Sequence, residues 1–266
     1  MESGDATAEA IRLAYNRSAA AWAQGPDALY GRLAEAMLTA APFTLAGARV
    51  LDVGAGTGVA GRAAIGAGAR QVVAVDIAEH MLRTAVGESG GLVLPVVADA
   101  THLPFADQTF EIVCAAFCLG HLPDPVVGLR EARRVGWSIV ASAFAAGWTH
   151  PAKAVVDDAL AEFGYTAPGW HVELKDHLEP QVGDPQRLAL AATAAGYPRV
   201  DVTVVSVPTG LDTPAELVRW RLGMAHLAPF VRTLARSDRE RATLAAEAGL
   251  VAAPPLTVSM LVLAAS

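Results

Sequence analysis

The sequence predicts an α/β fold: an open, mostly parallel sheet with helices on both faces. Three observations predict it. Short runs rich in valine and isoleucine alternate with helix-like runs between residues 49 and 143. Those short runs are apolar throughout rather than at every second position, the pattern of strands buried on both faces. The first of them breaks directly into a glycine-rich turn, VLDVGAGTGVAG, at Val50–Gly61. With 266 residues, 53% of them hydrophobic, the chain is long enough to bury a large core.

In chain order, helical spacing covers Ala6–Ala23 and Ala28–Ala41, broken by Gly25-Pro26 and stopped by Pro42. Strands are predicted at Arg49–Val53, Gln71–Val75, Leu92–Val97, Phe110–Ala115 and Trp137–Ala143. Helices fall between them near Val59–Ala67, Ala78–Val86 and Pro125–Arg134. After Phe144 the rhythm changes to an aromatic- and histidine-containing stretch, followed by a helix near Pro185–Ala195 and a strand at Arg199–Val207. A second long insertion carries helix-like segments at Pro214–Gly223 and Asp238–Ala248, and a strand at Leu256–Ala264 follows. The expected organisation is one domain over 1–266. Within it lie an N-terminal helical lid (1–45), a cofactor-binding core (46–143) and two lid insertions (144–183 and 208–254).

Charge and composition narrow the partners. A net charge of −7 disfavours nucleic acid, which calls for a basic face. No apolar run reaches the ~18 residues of a membrane span, and the acidic start MESGDATAEA lacks the features of a signal peptide. Cys114 and Cys118 share one apolar segment and read as packed thiols, so a cytoplasmic location is expected. The histidines have no metal-ligand spacing and no cysteine cluster accompanies them, so no metal is expected.

The glycine turn has two readings. Gly56–Gly61 fits GxGxxG, a pattern that serves dinucleotides. Asp76 follows at the end of the next strand, about 20 residues on, suited to a ribose diol in either reading. Asp52, however, precedes the glycines, where a pyrophosphate would bring like charge and an ammonium or sulfonium would be welcome. Asp99 ends the third strand, where its carboxylate can accept from an adenine amino group. Both acidic residues favour an adenosyl cofactor carrying positive charge.

Four segments, VLDVGAGTG, VVAVDIAEHML, VVADATHLPFADQTFEIV and AAFCLGHLPDP, run in order from Val50 to Pro125 and resemble the class I S-adenosylmethionine-dependent methyltransferases. The small-molecule branch similar to ubiquinone and menaquinone-biosynthesis enzymes matches best, and LTVSMLVLAA is similar to its antiparallel seventh strand. The resemblance implies a Rossmann-like, doubly wound sheet of seven strands with an antiparallel last strand, and methyl transfer to an apolar small molecule. It implies that Gly54, Ala55, Gly56 and Gly58 wrap the methionine moiety, that Asp76 binds the ribose, and that Ile77 and Met81 flank the adenine. Asp99 and Ala100 would lie at the adenine edge, Phe117 and Cys118 near the reactive methyl, and Tyr15 on a lid helix over the cofactor. One departure is the turn before the fifth strand, shortened here to Val135-Gly136.

Among the histidines, His121 in GHLPDP is best placed for a general base, with a structural role at the Pro123-Asp124-Pro125 turn as the alternative. His150 and His171, beside Trp148 and Trp170 in the first insertion, are further candidates. His102 reads as a surface residue, and His177 and His226 stay unassigned. Both insertions leave the C-terminal ends of strands, the ligand face of an open sheet. Phe144, Trp148, Phe163, Tyr165, Trp170, Trp220 and Phe230 can therefore line an apolar acceptor site or pack the lids together, and a mixture of the two is expected, with His121, Trp148, Trp170 and Trp220 touching the acceptor. A protein that binds S-adenosylmethionine without spending its methyl, and an NAD-dependent oxidoreductase, remain as alternatives.

Overall fold

The computed structural model describes residues 2–266, with side chains from Ala6 onward; Met1, the first residue of the expected 1–45 lid, lies outside the described residues. The strands are β1 (Arg49–Val53), β2 (Gln71–Asp76), β3 (Val93–Val97), β4 (Phe110–Ala116), β5 (Gly136–Phe144), β6 (Val200–Pro208) and β7 (Thr257–Ala265). Among the described residues they form one seven-stranded sheet in the order β3-β2-β1-β4-β5-β7-β6. All pairings from β3 to β5 are parallel, whereas β7 runs antiparallel to both β5 and β6. The strand order reverses between β1 and β4, which opens a crevice at their C-terminal ends.

Side-chain alternation divides the core into two faces. Val50, Val72, Ala74, Ile112 and Cys114 face one cluster, together with Leu33 and Met37 of α2 (Pro26–Thr39) and Ala60 and Ala64 of α3 (Val59–Gly66). Leu51, Val73, Val75, Val113 and Ala115 face the other, against Leu129 of α5 (Pro125–Val135) and Leu188 of α8 (Pro185–Ala194). The expectation of strands apolar on both faces fits β1, β2, β4 and β5 but not the edge strands. β3 and β6 expose several positions because one flank has no neighbouring strand and less helix cover.

Proline sets several helix starts. Asp124, His150, Asp184 and Thr213 each precede a proline and cap α5, α6 (Pro151–Ala161), α8 and α9 (Pro214–Leu222) with a side-chain acceptor. The proline lacks the N–H that would be unpaired there and carries the helical φ, while the cap satisfies the next free amide. Thr213 and Glu216 complete a reciprocal capping box.

Between α9 and β7 lie α10 (Ala228–Val231) and α11 (Arg236–Gly249), and between α6 and α8 lie α7 (Gly169–Glu173) and the irregular turns Leu174–Leu178 and Glu179–Gln181. A third, smaller cluster holds α1 (Glu2–Gln24) over the crevice. In it Ala19 and Trp22 meet Ala78, Met81 of α4 (Glu79–Glu88) and Ala225, with Tyr15, Tyr30 and Trp170 packed against them. Asn16 fastens the helix by accepting from the His80 amide at 2.8 Å. Among the described residues no helix is long and apolar enough to cross a membrane.

Candidate active site

A cavity of about 860 Å³ runs from the glycine loop to the lid segments, within the ~300–1,000 Å³ common for small-molecule sites. Its first end is built mainly from backbone. Gly54 and Gly56, both at positive φ, turn the chain out of β1. A side chain on Gly56 would meet nothing within 4 Å, so the space it leaves is part of the cavity. The Asp76 carboxylate, at the tip of β2, accepts from the amide of Gly56 through Oδ2 and of Ala78 through Oδ1, each at 2.8 Å. Burial nonetheless raises its pKa, which those amides oppose. Ile77, Met81, Asp99 and Ala100 line the same end. Asp99 folds an Asx turn, its Oδ1 accepting from the Thr101 amide at 2.8 Å.

The loop is clasped from outside by α2. Asp27 accepts from the Thr57 hydroxyl and, at 2.6 Å, from Arg62, which also donates to the Thr57 carbonyl. Asp52 lies beneath the loop, fully buried. Its Oδ2 accepts from the Gly61 amide at 2.8 Å, while Oδ1 has no hydrogen-bond partner. Burial, with the nearby Asp76 charge adding to it, pushes this carboxyl up to about 7.

The middle of the cavity is aromatic. Phe117, after β4, holds φ at 54°, a conformation costly for a bulky residue. That turn sets its ring 5.4 Å from Tyr30 and 4.5 Å from Phe144. Phe144 in turn stacks on Trp148 at 5.0 Å with planes 8° apart. Here the Tyr15 hydroxyl and His121 Nε2 are 2.8 Å apart. Burial lowers the imidazole's pKa and keeps Tyr15 protonated. In the tautomer that leaves Nε2 unprotonated, the Tyr15 hydroxyl donates to it.

The far end is polar. Arg221 of α9, 4% exposed, donates from Nη2 to Asp157 at 2.9 Å and to His226 Nε2 at 3.1 Å. His226 stacks face to face on His171 at 3.7 Å. Burial first, and the surrounding cations next, push His171 down to about 3 and lower His226 as well, so both rings are neutral.

Residues 51–136 match the methyltransferase domain family. A demethylmenaquinone methyltransferase of Beutenbergia cavernae is 33% identical over 175 residues, covering 63% of this chain and 70% of the relative. The chain belongs to the class I S-adenosylmethionine-dependent methyltransferases. A second demethylmenaquinone methyltransferase, from Clavibacter sepedonicus, is 39% identical over 127 residues, 47% of this chain and 50% of its own. Of this and two further curated relatives the chain spans about half the length or somewhat less. The solved Haemonchus contortus phosphoethanolamine N-methyltransferase 2 with S-adenosyl-L-methionine gives a TM-score of 0.54 at 18% identity, over 88% of this chain and 52% of that one. At that identity the likeness is one of fold.

In this chain the residues expected at the cofactor line one cavity, Tyr15 and Phe117 at its middle, with three adjustments. Gly58 does not line it. A side chain there would meet Ala85 of α4 at 2.8 Å, so this glycine serves helix packing. Asp52 reaches the cavity only from below, its carboxylate committed to the first turn of α3. Cys118 packs against Gly54, and burial pushes its thiol up to about 12, which leaves it un-ionised.

The acceptor expectations divide similarly. His121, His171, Trp148, Trp170 and Trp220 line the cavity, whereas His150 does not. Its Nδ1 caps α6 through the Ala152 amide and its Nε2 meets the Pro254 carbonyl at 3.0 Å, so both ring nitrogens are spent on backbone. Phe163, Tyr165 and Phe230 also fall outside. Tyr165 and Phe230 pack on each other at 5.4 Å, and Phe163 lies under Arg241. Sequence reading missed Asp27, Thr57, Tyr30, Lys153, Arg221 and His226. The Thr57 position between two loop glycines was the one local signal; the others depend on lid packing.

Proposed function

We propose that the chain transfers a methyl group from S-adenosylmethionine to a small-molecule acceptor with an apolar body. The observation that carries this reading is the continuity of the cavity, from the Asp76 and Gly56 end to the lid aromatics, with room for two ligands side by side. The residues present fit the cofactor. Asp76 is braced with lone pairs left for a diol, Gly56 leaves the space a side chain would fill, and the unpartnered Asp52 Oδ1 offers negative potential beneath the loop. S-adenosylmethionine, when bound, supplies a methyl group already activated on a sulfonium.

The chain's own work is then positioning and exclusion of water. Tyr15, Trp22 and Tyr30 of the N-terminal helices close over the crevice, and the insertions 144–183 and 208–254 supply the remaining walls as lids. His121 serves an acceptor that must lose a proton. Its neutral Nε2 holds the base function, and the Tyr15 hydroxyl must move aside or relay the proton. Demethylmenaquinone methylation, the activity named for the relatives, is one member of the acceptor class that the aromatic middle suits. The two free thiols fit a cytoplasmic enzyme, and the −7 charge fits a small molecule rather than nucleic acid.

The test is calorimetric titration with S-adenosylhomocysteine, with NADH for comparison, followed by assay of S-adenosylhomocysteine release over a panel of hydroxylated aromatic acceptors. One-site binding of S-adenosylhomocysteine and acceptor-dependent release support the reading. Binding of NADH alone would overturn it, and cofactor binding with no methylated product from any acceptor would favour a protein that holds the cofactor unspent.

A further inference from the structure

The lid end carries more charge than an apolar acceptor needs. Arg221 spends Nη2 on Asp157 and His226, yet its buried Nε has no partner. Its guanidinium carbon lies 5.6 Å from the centre of the Trp220 ring, whose buried Nε1 also lacks an acceptor. Both residues line the cavity. Buried donors without acceptors are rare in native proteins and call for an explanation such as a ligand.

Lys153 adds a third donor. Its Nζ sits 4.0 Å from the Trp148 ring centre and 5.9 Å from that of Phe144, and no carboxylate or carbonyl pairs with it among the described residues. The neighbouring Lys175 lies 5.9 Å from the same Phe144 ring but is paired to Glu179 at 2.6 Å. Three cations, Lys153, Lys175 and Arg221, thus face two carboxylates, Asp157 and Glu179, which leaves one positive charge over. A lysine kept only for packing would be cheaper as methionine in this half-buried place.

The aromatic surfaces connect the two ends. From Phe117 beside Cys118, the rings pass through Phe144 to Trp148, and the Lys153 ammonium lies on the last of them. We infer that the acceptor is a monoanion: its ring-bearing body lies along Phe117, Phe144 and Trp148, and its carboxylate is held by Lys153, with the Arg221 charge behind it. This deepens the proposed function and rests on the cavity holding cofactor and acceptor together. A surplus of one charge matches a carboxylate; a dianionic phosphate would remain half-compensated.

The experiment uses the full chain saturated with S-adenosylhomocysteine and titrates it calorimetrically with 2-naphthoate, its neutral isostere 2-naphthamide, and 2-naphthyl phosphate. The carboxylate is expected to bind on the order of tenfold more tightly than the amide, the size of one charge-assisted hydrogen bond. Lys153→Met should bring that ratio near unity, and Lys153→Arg should restore it, with S-adenosylhomocysteine affinity unchanged in both. Equal affinities in the unmodified protein, no carboxylate binding, a preference that survives Lys153→Met, or tighter binding of the phosphate would each overturn the inference. Failure of S-adenosylhomocysteine to bind appears in the first titration and removes the underlying reading instead, and this inference with it.

Discussion

The cavity's two ends are held by different means. At the glycine loop, carboxylates meet backbone amides within a span of 52–78: Asp52 with Gly61, Asp76 with Gly56 and Ala78. At the lids, side chains meet side chains drawn from α6, α7, α9 and the segment after it: Asp157, His171, Arg221 and His226. Backbone geometry at a strand end is fixed by the sheet register, so the first end is rigid before any ligand arrives. The second end exists only when the two insertions dock on one another. The first is suited to hold an invariant ligand, and the second to be changed without disturbing the sheet.

Asp76→Ala would produce the largest effect at the rigid end. It removes the carboxylate proposed for the ribose and leaves the Gly56 and Ala78 amides without acceptors. A loss of S-adenosylhomocysteine affinity of about 100-fold or more is expected, from two charge-assisted hydrogen bonds. Calorimetry checks it, and the melting temperature separates it from unfolding. A loss below about threefold would break the division of labour between the ends.

His121→Ala sharpens the comparison from the middle. For an acceptor that must lose a proton, turnover should fall roughly 100-fold, with S-adenosylhomocysteine affinity unchanged. Tyr15→Phe removes only the hydroxyl on Nε2, and a fall of about tenfold or less is expected. The pH profile adds a signed check. Burial lowers the His121 pKa, so the ring is neutral at pH 7 and takes its proton only below the ordinary imidazole range. The acid limb of turnover should therefore lie below about pH 6.5, and disappear in His121→Ala. A limb at or above that value would assign the base to another group.

The same contrast explains what could be read from the chain. The placement of VLDVGAGTG, Asp76 and Asp99 at the cavity was legible because each lies at or just beyond a strand end, a position that alternation and turn chemistry fix locally. The seven strands were legible for the same reason, though β3 and β6 proved half-exposed edges. Arg221 was not legible: a helix that begins with Thr213-Pro214 gives no sign that one arginine points inward to Asp157, some 64 positions earlier. His150 misled because a histidine beside a tryptophan resembles a site residue, whereas histidine before proline can equally cap a helix. Trp220 was expected at the cavity on aromatic content alone and lines it, though nothing in the sequence marked its buried, unpartnered Nε1.

The smallest expected effect concerns Asp52, which belongs to the rigid end yet is its least settled group. With one oxygen bonded and the other buried without a partner, its carboxyl is pushed from the ordinary 3.8 up to about 7. The folded chain then keeps a proton, between those two values, that the unfolded chain releases. This group's contribution to stability is fully present below about pH 4 and is lost as pH rises through about 7. Asp52→Asn keeps an oxygen for the Gly61 amide and removes the charge. At pH 8 the apo protein should therefore melt higher by roughly 5 °C, corresponding to about 1–3 kcal/mol, with little change at pH 5. Thermal melts at the two pH values, with and without S-adenosylhomocysteine, check it. A cationic ligand above the loop favours the ionised carboxylate, so saturating cofactor should shrink the gain. An unchanged gain with cofactor would place Asp52 wholly with the scaffold, as a clamp on α3 and not part of the binding end.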